Sequence, residues 1–90
     1  MPTQFQVVSV DNGGSKPVTF SGTVQSATVA VQGFDTKFNS DHHIREIQVR
    51  AGIGSINGST VTITGVATMN DDSNNRAGGT VDVLVIAETA

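Results

Sequence analysis

The residues best suited to chemistry fall in two short stretches. "DHHIREIQVR", residues 41–50, carries His42, His43 and Arg45, and "NDDSNNR", residues 70–76, carries Asp71, Asp72, Asn74 and Asn75. An arginine presents a planar fork of donors that suits a carboxylate or a pair of sugar hydroxyls. Its plain alternative is an ion pair, with Asp35 or Asp41 as partner. Asp and Asn supply hard oxygens of the kind Ca²⁺ prefers, and their amides also hydrogen-bond hydroxyls. The acidic stretch lacks the D-x-D-x-D-G order of a calcium loop, and Asx-rich hairpin loops arise from turn geometry alone. His42 and His43 are neighbours, so on an extended chain they point to opposite faces and do not chelate one ion. One His per chain meeting its copies on a symmetry axis is the remaining route to a metal, and a solvated loop position is the simpler reading. No metal and no cofactor are expected.

Catalysis finds little to stand on. The chain has no Cys, no G-x-S-x-G elbow and no H-E-x-x-H, and "GIGSING" leads into strand alternation instead of a phosphate-binding helix. The protein is therefore expected not to be an enzyme. Five Lys and Arg against eight Asp and Glu give a net charge of -3, and the cations are scattered singly, which excludes a basic stripe for nucleic acid. The opening "MPTQFQVVSV" has neither a cationic leader nor a continuous apolar region, and no apolar run approaches twenty residues, so a soluble chain without a membrane partner is expected and its compartment is unknown.

These residues must be positioned by strands, because apolar and polar residues alternate along most of the chain. Strands are expected from Gln4 to Val10, through Val18 and Phe20, over "ATVAVQGF", over "HIREIQVR" with Ile47, Val49, Ala51 and Ile53 inward, over "TVTITGVATM" and over "TVDVLVIAE". Arg45 shares the parity of Ile47 and Val49, which places a charge where the core must open or where an acidic partner waits. Asn57-Gly58 marks a tight hairpin, since type I′ turns need positive φ at both central residues. Asn57-Gly58-Ser59 is also formally an N-glycosylation acceptor, although the turn accounts for it. Val66 breaks the parity of Val61 and Ile63, which predicts a bulge near Gly65. In the last strand Val81, Val83, Val85 and Ala87 form one apolar face and Leu84 and Ile86 make the other apolar too, as in a strand covered on both sides. The expected fold is all-β: one domain spanning residues 1–90, a six-stranded antiparallel β-sandwich.

The order of "VTF", "ATVAVQGFD", "HIREIQV", the "NGSTVTITG" hairpin and "TVDVLVIAE", over roughly residues 17 to 88, resembles the H-type lectin domain, the small sandwich of snail agglutinins and discoidin C-terminal domains. The resemblance implies trimers, sometimes stacked as hexamers, with N-acetylgalactosamine-type sugars held between subunits. It also implies a sugar-contacting role for Arg45. The family's Trp-His pair and Tyr have no counterpart here, where "TMNDDSNNRAGGT" contains no aromatic. A sugar's apolar face usually stacks on such a ring.

Ninety residues bury roughly 60% of their unfolded surface, and without a disulfide such a domain gains most from pairing with itself. Two readings of function follow. One is an oligomeric carbohydrate-binding module using Arg45, Asp71, Asp72, Asn74 and Asn75. The other is a structural subunit of a homo-oligomer, such as a viral or tail-like particle, that binds no sugar.

Overall fold

The computed structural model describes residues 2–38 and 42–90. These residues are 76% strand and contain no helix. In chain order the strands are β1 (Thr3–Asp11), β2 (Ser15–Thr19), β3 (Val24–Asp35), β4 (Ile44–Asn57), β5 (Thr60–Asp71), β6 (Arg76–Gly78) and β7 (Thr80–Thr89). One antiparallel sheet has the order β1-β7-β3, and the other has β2-β5-β4 with β6 also paired to β5. Seven strands thus replace the expected six. The addition is β6, a return of the chain after Asp71 in which Asn70 pairs with Arg76 and Thr68 with Gly78. Three residues are too few to show a period, so no pattern in the sequence announces it.

The alternating strands do build the core. Val81, Val83, Val85 and Ala87 of β7 face Val61, Ile63 and Ala67 of β5, and all seven are fully buried. Val10, Val18, Phe20 and Val24 complete the cluster. The layer between the sheets is thin. A compact chain of this length has a radius of gyration near 12 Å, whereas this one measures 15.3 Å and extends 49 × 18 × 16 Å. Phe20 is the one aromatic ring in the buried cluster, while Phe5 and Phe34 are 67% and 52% exposed.

Register puts the remaining apolar residues in two places. On the outer face of the first sheet Phe5 sits across from Ile86 and Val7 from Leu84, and on the far side Ala30 also pairs with Leu84. The expected second apolar face of β7 is therefore real and is widened by β1, with Leu84 and Ile86 half-buried and Phe5 and Val7 open. The second place is the side where β3 and β4 form the free edges of their sheets. There Val31, Phe34, Ile44, Ile47 and Ile56 are exposed. The outer face of β5 carries Thr62, Thr64 and Thr68 with a single apolar residue, Val66, among them.

Two local expectations are corrected. The β4–β5 hairpin pairs Asn57 with Thr60, so its two central residues are Gly58 and Ser59, one position later than expected. Gly58 has φ 62 and Ser59 has no positive φ, the pattern of a II′ turn with glycine first. Nor does β5 bulge at Gly65. Val61, Ile63, Gly65, Ala67 and Met69 stay on one face and the register shifts lie in β4. Gly65 is there for space: a β-carbon would lie 2.5 Å from Val81 Cγ1 and 3.1 Å from Val10 Cβ. Both valines are fully buried, so Gly65→Ala should destabilise the fold by about 1–3 kcal/mol through overpacking. Urea unfolding checks this, and an unchanged midpoint would refute it.

Candidate functional site

At the end of β5 the inward strand parity delivers a carboxylate to a position that alternation reserves for apolar side chains. Asp71 follows Met69 on the inner face and is 4% exposed. A buried carboxylate demands donors, and the loop after it supplies them. Asp71 Oδ1 accepts the backbone N–H groups of Ser73 and Asn75, each at 2.8 Å, and Oδ2 accepts the side-chain amide of Asn75 at 2.9 Å. His42 Nδ1 lies 2.5 Å from the same Oδ2. Main-chain bonds reinforce the loop, from Asp71 N–H to Asn75 O at 3.0 Å and from Asp72 N–H to His43 O at 3.1 Å. Asn74, at φ 64, lets the chain reverse.

Opposing influences act on this carboxyl. Burial pushes its pKa up, but the hydrogen bonds from the Asn75 side chain and backbone, from His42 and from Ser73 outweigh that and hold it well below the usual carboxylate range. A depressed folded-state pKa stabilises the fold wherever the unfolded carboxyl is ionised, above about pH 4, and that contribution is lost as pH falls further. The urea midpoint of the wild type should accordingly drop between about pH 6 and pH 3 by more than that of Asp71→Asn. Equal drops would show that the hub is not coupled to stability.

Arg45 reaches this loop by an irregularity of β4. Ile44 pairs with Asp71 and Glu46 with Asn70, which leaves Arg45 as the extra residue of a bulge. The bulge takes Arg45 out of the parity of Val49, and Ile47, expected inward, is exposed, so of the four residues expected to face the core only Val49, Ala51 and Ile53 pack on it. Arg45 Nη2 donates to Asn74 Oδ1 at 3.1 Å, in place of an ion pair with Asp35, and Asp41 lies outside the described residues. Glu46 accepts from the Asn70 amide at 3.0 Å on the outer face.

The five residues singled out from the sequence thus converge at one end of the molecule. Arg45, Asp72, Asn74 and Asn75 are exposed, and Asp71 is buried beneath them. Two residues join them that sequence reasoning did not place in the site. His42 is anchored on Asp71 and stacks on Phe38, with ring centroids 4.1 Å apart and 25° between planes. Nothing local predicts that contact, because residues 42 and 71 meet through the β4–β5 register. His42, His43, Asp71, Asp72, Ser73 and Asn75 line an open cleft of about 380 Å³. A second hollow of about 210 Å³ over Gly52 and Thr64 has one charged residue, Arg50, and no converging polar groups.

The chemistry open to this end is hydrogen bonding. Among the described residues no three His, Cys, Asp or Glu side chains are grouped to hold a metal, and both oxygens of Asp71 already accept N–H bonds. No helix among the described residues is long and apolar enough to cross a membrane. No family model, curated protein or solved structure matches the chain.

Proposed function

We propose that this chain is a non-catalytic, self-associating carbohydrate-binding module of the H-type lectin kind. Six strands form the sandwich and β6 is an ornament of the ligand-facing loop. The observation that carries the reading is Asp71. A buried carboxylate spends its hydrogen-bonding capacity on holding residues 73–75 in one conformation, so that Arg45, Asn74 and Asp72 present a preorganised polar rim. Preorganisation of this kind favours binding because the ordering entropy is already lost before the ligand arrives. The stacked Phe38–His42 pair supplies a planar surface beside the rim, in place of the aromatic residues that the loop lacks. Arg45 and the Asx amides would hydrogen-bond sugar hydroxyls, weakly per site and strengthened by multivalency.

Self-association rests on the two apolar surfaces, and the occupant of each is another copy of this chain. A stable interface removes about 800 Å² per partner, while an outer face three strands wide offers roughly half of that. The β3/β4 side is a second patch, so a protomer that uses both reaches that area only as a sum over two neighbours. Two different patches per protomer suit a closed ring, in which the outer face of one protomer meets the β3/β4 side of the next. Leu84→Asp should convert the assembly to monomers in light scattering at unchanged secondary structure. A wild type that is monomeric at high concentration would dismiss self-association.

The second reading, an assembly subunit that binds no sugar, is favoured by the exposure of Phe5 and Phe34 in so small a chain. A glycan array with wild type and Arg45→Ala separates the two. Sugar binding lost in an intact Arg45→Ala oligomer supports the lectin reading. No binding by the wild type, with Arg45→Ala merely weakening assembly, supports the subunit.

A further inference from the structure

The chain contains two Asn-Gly pairs, Asn12-Gly13 and Asn57-Gly58, and by sequence they are equally prone to lose the side-chain amide. The reaction is intramolecular. The backbone nitrogen of the glycine attacks Cγ of the asparagine, the bond to the side-chain nitrogen breaks, and ammonia leaves with the proton that the glycine nitrogen gives up. Water then opens the five-membered imide at either carbonyl, giving aspartate or isoaspartate. The step needs a free nucleophile, a free electrophile and a backbone able to rotate, all of which the fold controls.

Both asparagines are exposed, so exposure does not separate them, but hydrogen bonding does. At the first pair both reacting groups are engaged. Gly13 N–H donates to Gly65 O at 2.8 Å, and Asn12 Oδ1 accepts the Ala67 N–H at 3.1 Å. Asn12 N–H is also held, by Gly79 O at 2.9 Å. The attacking nitrogen and the attacked amide are thus pinned to the edge of β5. At the second pair, among the described residues, the Asn57 side chain has no hydrogen-bond partner. The Gly58 N–H likewise makes no turn or loop bond. Gly58 sits at φ 62 in a two-residue turn that is held to the chain before β3 through its carbonyls alone, so neither the attacking nitrogen nor the attacked amide is itself engaged.

We infer that Asn57 is a spontaneous modification site of the native protein, converting to aspartate and isoaspartate, while the fold protects Asn12. The product has a structural consequence. The turn carbonyls of Gly58 and Ser59 accept the N–H groups of Val24 at 2.9 Å and Phe20 at 2.8 Å, and Val24 and Phe20 belong to the buried cluster. Isoaspartate adds a methylene to the main chain at residue 57, which moves those carbonyls off their donors and adds a negative charge at the tip. The hairpin that seats part of the core is therefore also the part of the surface that ages.

The test is incubation of the purified chain in mildly alkaline buffer, folded and in denaturant, followed by digestion and mass spectrometry of the peptides containing Asn12 and Asn57. In denaturant the two pairs should react at comparable rates. In the folded protein Asn57 should react at least about tenfold faster than Asn12, the factor that two ordinary hydrogen bonds impose on exposure of the reacting groups. The isoaspartate fraction should melt below fresh protein, and Asn57→Gln, incubated alike, should keep its melting temperature. Equal folded-state rates, a faster Asn12, or no reaction at either pair would overturn the assignment. Aged protein that melts with the fresh sample would overturn the consequence for the core.

Discussion

Gly79→Ala should be the most damaging single-methyl change in the molecule, lowering stability by about 3 kcal/mol or more and leaving little folded protein in a marginal domain. A β-carbon at this position overlaps the carbonyl oxygen of Asp35, with Thr36 Cα 2.8 Å away. Both obstacles are backbone, so no rotamer change relieves the clash. Relief requires moving the end of β3 or the start of β7. Gly79 cannot retreat either, because its N–H donates to Ala67 O and its carbonyl accepts the Asn12 N–H, both at 2.9 Å. These bonds tie the β6–β7 link to β5 and to the turn after β1, where the two sheets approach. The expected readout is loss of the cooperative urea transition or a large fall in its midpoint. A variant that unfolds like the wild type would show that the ends of β3 and β7 separate without cost. Gly65→Ala is the milder companion, because it presses on side chains.

Asp71→Ala should produce the largest local effect. Four donors converge on this carboxylate, and its removal strands the Ser73 and Asn75 N–H groups, the Asn75 amide and the His42 ring. Amide exchange at Ser73 and Asn75 should accelerate by about a hundredfold or more, since hydrogen bonds to an ionised acceptor are stronger than neutral ones. Exchange in the middle of β7 should change far less. Asp71→Asn separates charge from geometry. It keeps an oxygen for the two backbone donors but turns an NH₂ toward the Asn75 amide, so it should restore Ser73 protection without restoring the Asn75 side-chain bond. If the loop is the sugar-facing surface, Asp71→Ala should also abolish any glycan binding found for the wild type by releasing residues 73–75. Retained loop protection in Asp71→Ala would remove the basis for treating Asp71 as the organiser of the site.

These two positions show how unevenly the sequence discloses the molecule. A glycine reads as a turn or a weak place in a strand. That Gly79 faces the backbone of residues 35 and 36, and Gly65 two buried valines, is a fact about neighbours distant in the chain. Asp71 in an Asx-rich stretch reads as one more loop oxygen, and its burial depends on β5 running unbroken through Gly65.

What the sequence determined by itself is the all-β class and the core faces of β5 and β7, because a period of two is a local property written into each segment. It also located the polar end, since Arg45 and the Asx stretch are the few charged or amide-rich places in a bland chain. The tertiary structure alone decided the bulge that sends Arg45 to Asn74, the meeting of His42 with Asp71, the extra strand β6, the one-residue shift of the hairpin, and the union of Phe5 and Val7 with Leu84 and Ile86. Each of these depends on register between strands, and register is fixed by how separate segments pack together, which no single segment encodes.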